Sequence, residues 1–211
     1  MSSSASIRLV GKLHGKLVHG RRINVLARAL AEQIPAGASV LDVGCGSGEV
    51  ASLILEERHD IRIQGVEVLV RPGCKIPVQQ YDGKHLPFPN ASFDVCMCID
   101  VLHHTDDVAA SLRELARVSK RFLLIKDHLS ESRLDFLILK GMDWVGNRPQ
   151  GVVLPYHYQS QRAWEEQFQK LGLEKLSWST NIPLYPVPVS WITGRKLHFI
   201  SLLKKNNPAP T

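Results

Sequence analysis

The stretch LDVGCGSGEV, Leu41 to Val50, sets three glycines between two apolar runs. The first run, ASVLDVG from Ala38 to Gly44, is short and ends in glycine, as a buried strand does; the second, VASLILEE, reads as a helix. A strand that turns through glycines into a helix leaves few architectures open. Upstream, Ile23, Leu26, Ala27, Leu30 and Ile34 recur at helical spacing, and Pro35-Ala36-Gly37 ends that helix. Downstream, Ile61–Val68, Lys75–Asp82, Phe93–Asp100 and Arg121–Asp127 read as strands two to five, with a helix marked by Val108, Leu112 and Leu115 before the last. Strands apolar on both faces that alternate with helices make a parallel sheet covered on both sides. Right-handed crossovers then gather the strand C-termini on one edge, where open α/β sheets bind ligands.

The last third departs from this rhythm. Leu129 to Gln159 has no clean periodicity and carries GMDWVGNRPQGVVLPYHY, so it reads as a functional insertion. A helix follows with Trp164, Phe168 and Leu171 on one face and Gly172 as its stop. Leu173–Trp178 and Arg195–Leu203 are then two strands joined by a proline-rich connector, suited to a hairpin at the sheet edge. With 211 residues, 44% of them apolar, the chain suits one globular domain. Its expected parts are a helical region over 1–36, a core over 37–128, a cap over 129–159, a helix and hairpin over 160–204 and a flexible tail over 205–211.

The net charge of +6 is concentrated early, since Arg8, Lys12, Lys16, Arg21, Arg22 and Arg28 precede the first acid, Glu32. Such a segment can hold phosphates. No Phe, Trp or Tyr occurs before Tyr81, however, so it offers no platform for stacking unpaired bases, and nucleic acid is not the expected partner. No apolar run approaches the roughly 20 residues that span a bilayer. The N-terminus also lacks the basic-then-apolar order of a secretory signal, which points to the cytoplasm. Cys45, Cys74, Cys96 and Cys98 form no CxxC pair and no His/Cys set of zinc spacing, so reduced thiols and no metal are expected. Cys96 and Cys98 lie two apart on the fourth strand and share one buried face.

The glycine loop resists two common readings. A P-loop requires Gly-Lys-[Ser/Thr], and Gly48 is followed by Glu49. The dinucleotide fingerprint requires G-x-G-x-x-G, and the order here is Gly44-Cys45-Gly46-Ser47-Gly48-Glu49. An acid at the helix start, with Asp42 before the first glycine, repels phosphate and favours a cationic or neutral ligand. A ligand with an ammonium group, a ribose and no phosphate fits, and S-adenosylmethionine answers that description.

VLDVGCGSGEV, Val40 to Val50, resembles the first motif of the class I S-adenosylmethionine-dependent methyltransferases. LPFPNASFD resembles that family's lead into strand four, and IDVLHHTDD, Ile99 to Asp107, is similar to the segment after strand four in small-molecule members related to the ubiquinone-pathway enzymes. The resemblance covers about Val40 to Asp127. It implies a Rossmann-like three-layer α/β sandwich with a mostly parallel seven-stranded sheet and an antiparallel edge strand. S-adenosylmethionine is the implied cofactor and S-adenosylhomocysteine its product. Glu67 would accept bonds from the ribose hydroxyls and Asp82 from the adenine amino group, within a cofactor site of Asp42, Gly44, Cys45, Gly46, Gly48, Glu67, Val68, Asp82, Gly83 and Asp100.

Methyl transfer from a sulfonium chiefly requires holding the acceptor in line with water excluded. A base is needed when a hydroxyl attacks, and His103, His104, Asp127 and His128 are the candidates, His104 and His128 first because imidazole titrates near working pH. Trp144, Tyr156 and Tyr158, with Tyr185 and Trp191 further on, are the aromatics expected to cover an apolar or planar acceptor. The expected function is methyl transfer to a small molecule. A macromolecule methyltransferase lacks support, because Asp100-Val101-Leu102-His103 is not the [Asn/Asp]-Pro-Pro-[Tyr/Phe] that positions a base amine. A cofactor-binding module without chemistry would keep the same Asp42, Glu67 and Asp82.

Overall fold

A computed structural model describes residues 20–147, 155–184 and 196–206. Arg8, Lys12, Lys16, Tyr185 and Trp191, and most of the expected tail, lie outside them. A helix α1 occupies 20–31, followed by β1 (Ser39–Val43), α2 (Glu49–Glu57), β2 (Arg62–Glu67), β3 (Val78–Gln80) and β4 (Phe93–Ile99). A 3₁₀ turn (Leu102–His104) then leads to α3 (Val108–Val118), β5 (Ser119–His128), α4 (Arg133–Asn147), α5 (Gln161–Lys170), β6 (Leu173–Lys175) and β7 (His198–Lys205). The seven strands form one sheet in the order β3-β2-β1-β4-β5-β7-β6. Strands β1 to β5 pair in parallel, and β7 runs antiparallel to both β5 and β6, so the expected hairpin closes the edge of a mostly parallel sheet. Chain order reverses direction between β1 and β4, which opens a crevice at their C-terminal ends.

Each sheet face buries its own apolar cluster, which makes three layers. Leu41, Cys96, Cys98, Leu123 and Ile125 meet Leu112 and Leu115 of α3 and Trp164 and Phe168 of α5. Val40, Val95, Met97 and Leu124 meet Leu26 and Leu30 of α1 and Ala51 and Ile54 of α2. Cys96 and Cys98 thus share a face, as their spacing requires, and both are free thiols. Helix ends are satisfied locally. Asp107 accepts the N–H of Ala110 at 2.8 Å to cap α3, and Ser160 accepts that of Ala163 at 3.2 Å to cap α5. Behind α1, the Arg58 guanidinium donates to the carbonyls of Ala31 and Ile34 at 2.6 and 2.9 Å.

Two sequence expectations change. The region 129–159 is not without regular structure, since α4 fills fifteen residues of it. Ser132 and Asp135 start that helix with a reciprocal cap, Asp135 N–H donating to Ser132 Oγ at 3.1 Å and the hydroxyl donating back at 2.7 Å. Its periodicity is hidden because Leu134, Phe136, Leu137 and Trp144 are exposed while Leu139 is buried, so apolar residues lie all round it. The tail also begins later than expected: Lys205 belongs to β7 and its ammonium donates to Ser119 O at 2.7 Å. Among the described residues no helix is long and apolar enough to cross a membrane.

Candidate functional site

A cavity of about 1500 Å³ lies over the C-terminal ends of β1, β2 and β4. That exceeds the roughly 300–1,000 Å³ of a single-ligand pocket, so two molecules can meet in it. One end is built by the glycine loop. Gly44 and Cys45 both donate to Val66 O, at 2.9 and 3.2 Å, which turns the chain sharply off β1. Gly44 sits at φ 72°, and a Cβ there would lie 2.5 Å from Val101 Cγ2, so only glycine fits. Gly46 donates its N–H to Glu67 Oε2 at 2.8 Å, and Glu67 Oε1 accepts the Val68 N–H at 2.8 Å, which fixes the carboxylate at the cavity edge. Asp82 accepts the N–H groups of His85 and Lys84 at 2.6 and 2.7 Å, and these bonds hold its carboxyl down at about 2. Gly44, Cys45, Gly46, Glu67, Val68, Asp82, Gly83 and Asp100 all line the cavity.

Two residues of the expected cofactor set stand elsewhere. A Cβ on Gly48 would meet Ile76 Cγ1 at 2.7 Å, so this glycine lets α2 approach the Ile76 loop and does not line the cavity. Asp42 is buried within β1, and burial together with the charge of Glu67 pushes its carboxyl up to about 7. It therefore gives no fixed negative charge at the cavity wall. Glu49 does line the wall, paired with Lys75 at 3.4 Å.

The other end is a cluster of histidines and carboxylates. Asp100, at φ 55° just past β4, accepts from Arg22 of α1 at 2.7 Å and from the buried Lys126 ammonium. Burial opposes its charge, but Lys126 and Arg22 outweigh that and hold the carboxyl well below its usual range. His103 stands on the 3₁₀ turn, with Nδ1 2.6 Å from Asp127 Oδ1 and Nε2 3.4 Å from Asp143 Oδ2. Burial disfavours its cation, yet the two carboxylates prevail and raise its pKa to about 10. Next to it, His104 is half-buried and is pushed down to about 4 by burial and by the His103 charge. His128 is also lowered, by burial and by His103.

His103, His104 and His128 reach the cavity, whereas Asp127 does not; it accepts from His103, from the backbone of Leu102 at 3.0 Å and from that of His128 at 2.7 Å. Asp127 thus stands behind His103 and holds its imidazole, out of reach of the cavity. The three aromatics expected at the acceptor do not line the cavity either. Trp144 is 50% exposed, and Tyr156 lies under the Lys140 ammonium at 5.2 Å. Tyr158 donates its hydroxyl to Asp143 and packs against His103 and His128. From α4 the cavity takes Met142 and Asp143 instead. Asp143, Arg22 and Lys126 are partners the sequence reading missed. An acid between apolar neighbours in the short stretch GMDWV was the available signal for the first. Among the described residues, three His/Asp sets within the cluster bring ligating atoms within 4.8 Å of one another.

Comparison with known proteins bears on family and fold. A family model described as a methyltransferase domain matches residues 18–177. An O-methyltransferase of Pyrenophora dematioidea is 38% identical over 96 residues, covering 39% of this chain and 35% of the relative. The 27-O-demethylrifamycin SV methyltransferase of Amycolatopsis mediterranei is 31% identical over 108 residues, covering 44% of this chain and 39% of the relative. The chain therefore spans well under half the length of these relatives. The crystal structure of the YcgJ protein from Bacillus subtilis superposes with a TM-score of 0.60 at 20% identity, covering 90% of this chain and all of that one, a likeness of fold.

Proposed function

The chain belongs to the class I S-adenosylmethionine-dependent methyltransferases, and from that premise we propose that it transfers a methyl group to an oxygen atom of a small polar acceptor. The observation that carries this reading is the union, in one cavity, of a glycine loop flanked by Glu67 and Asp82 with a histidine and carboxylate wall. The loop and its two carboxylates form a cradle that fits S-adenosylmethionine. Two carboxylates stand at the ends of β2 and β3, the cradle has no P-loop lysine, and a Cβ on Gly46 would meet nothing within 4 Å, so a ligand can approach the backbone closely. Bound there, the cofactor supplies a methyl group on an electrophilic sulfonium.

The protein's own residues do the rest. Glu67 would accept hydrogen bonds from the ribose hydroxyls and Asp82 from the adenine amino group, and Gly44, Cys45 and Gly46 would border the methionine part. Across the cavity the acceptor hydroxyl meets His103, His104 and Asp143. A hydroxyl must shed its proton as its oxygen attacks. His104, neutral near pH 7 and less buried than the likewise lowered His128, is the imidazole best placed at the wall to take that proton. His103, held as a cation, stabilises the oxyanion that results. The relatives named for O-methylation support oxygen as the target atom. A wall of charged and hydrogen-bonding groups favours a polar acceptor over the apolar one that aromatic content alone suggests.

The test is S-adenosylhomocysteine release from pools of hydroxylated metabolites, with mass spectrometry locating the added methyl. His104→Ala should lower kcat by about 10²–10⁴-fold and leave cofactor binding unchanged. Cofactor binding with no turnover on any pool would favour a binding module. Turnover on RNA with steep salt dependence would favour a macromolecular substrate.

A further inference from the structure

The acceptor end of the cavity supports one step beyond the methyl transfer proposed above, and rests on it. His103, His104 and Asp143 bring one ring nitrogen each and a carboxylate oxygen within 4.8 Å of one another. His103 is 1% exposed, its Nδ1 is held by Asp127 at 2.6 Å, and its Nε2 is a buried nitrogen with no hydrogen bond among the described residues. His104 Nδ1 is likewise buried without one. The 3.4 Å from His103 Nε2 to Asp143 Oδ2 matches the spacing of roughly 3.3–3.6 Å between donors that share a tetrahedral ion about 2.0–2.2 Å away. Asp143 is itself oriented by the Tyr158 hydroxyl. A carboxylate that fixes one nitrogen of an imidazole, so that the other faces a shared centre, is the usual support of a metal-binding histidine.

We propose that His103, His104 and Asp143 bind a divalent transition-metal ion of the zinc type, and that this ion receives the acceptor hydroxyl. Two imidazoles and one carboxylate suit zinc, iron or nickel better than magnesium or calcium. The two neighbouring sets are already filled. The Lys126 ammonium bonds Asp100 and lies 3.3 Å from His198 Nδ1, so a cation already stands among Asp100, His128 and His198. In the third set His103 Nδ1 is spent on Asp127 at 2.6 Å and lies 3.2 Å from His128 Nδ1. Three protein ligands at a cavity wall leave coordination positions open for an acceptor. A bound ion supplies Lewis acidity, which lowers the pKa of a coordinated hydroxyl. In the ion-bound protein His103 and His104 are both neutral ligands, in place of the cation and the base they form without the ion, and the hydroxyl proton passes to solvent. The acceptor oxygen forms a bond to the methyl carbon, the carbon–sulfur bond breaks, and its electron pair stays on sulfur.

The experiment is titration of the chelator-treated full chain with Co²⁺ alone, read by visible absorption. One equivalent should produce the intense bands of a four- or five-coordinate site. Asp143→Asn and His104→Asn should abolish them, while Asp127→Asn should weaken affinity by about 10–100-fold and keep the spectrum. Exposed His59 is the control, and His59→Gln should change nothing. Circular dichroism checks each fold, and Tyr158→Phe, with the expected tenfold or greater weakening, replaces any variant that does not fold. Absence of bands, or bands that survive both ligand substitutions, overturns the site. Undiminished turnover after chelation overturns the role of the ion while methyl transfer stands. Failure of the untreated protein to bind S-adenosylmethionine overturns the underlying reading instead.

Discussion

Glu67→Gln isolates the cofactor half of the site with almost no change of shape. In the structure the two carboxylate oxygens accept separate backbone N–H groups, Gly46 on one and Val68 on the other, each at 2.8 Å. A glutamine retains one acceptor oxygen and turns an NH₂ toward the other amide, so one bond to a charged acceptor is lost. Such a bond contributes about 1.5–3 kcal/mol. The same arithmetic applies to the ribose, whose two hydroxyls both donate to this carboxylate in the proposed complex. Loss of one of those bonds weakens binding by roughly 10–150-fold. Calorimetry with S-adenosylmethionine and with S-adenosylhomocysteine measures this, and both should weaken alike because the ribose is common to them. A thermal melt without ligand separates the two contributions, since the loosened Gly46 tie lowers Tm whether or not cofactor is present. If Glu67→Gln binds within threefold of the unaltered protein, the carboxylate does not hold the ribose and the assignment of this cavity end is wrong.

Two further substitutions probe the loop and the histidine cluster. Gly44→Ala forces a left-handed alanine and drives its Cβ to 2.5 Å from Val101; strain and overlap should together cost about 2–4 kcal/mol, a Tm fall of roughly 5–15 °C, and an unchanged Tm would show that the turn is not as tight as described. The raised pKa of His103, about 10 against an ordinary 6.5, means that its contribution to stability is complete below pH 6.5 and is lost as pH rises through about 10. Chemical denaturation from pH 7 to 10 should therefore show declining stability, and Asp127→Asn should flatten that decline and bring the His103 NMR titration down toward neutrality. An unaltered protein whose His103 titrates near 6.5 contradicts the charge state used in the proposed chemistry.

Much of the fold was legible because its signals are local. The glycine turn is announced by Gly44 directly after the apolar run of β1, and strand and helix alternate as the apolar runs do. Cys96 and Cys98 fall on one face because strand period is two. Helix α4 was not legible for the opposite reason. Its apolar residues surround it, Leu139 is buried while Leu134, Leu137 and Trp144 are exposed, and no single stripe betrays the helix. Aromatic density in the same region suggested an apolar acceptor surface, yet Tyr158 is turned to Asp143 and Trp144 to solvent. The side chain that α4 contributes to the cavity cluster is an acid, and its partner His103 lies forty residues earlier, a separation that no local pattern carries.

The histidine pair makes the limit of spacing arguments concrete. His103 and His104 are adjacent in sequence, identical in chemistry, and their ring centroids are 3.9 Å apart. Nothing in the sequence ranks them, and placing His104 and His128 ahead of His103 rested only on the intrinsic pKa of imidazole. Two carboxylates contributed by separate elements decide the matter. Asp127 from β5 and Asp143 from α4 both bear on His103 and keep it charged, and that charge in turn helps to keep His104 neutral. Asp100, by contrast, is neutralised by Lys126 and Arg22 and contributes little field to the pair. Neighbouring groups whose pKa values are driven apart are the mark of divided acid and base roles. The sheet carries most of this division, because Asp127 of β5 bears on His103 more than Asp143 of α4 does.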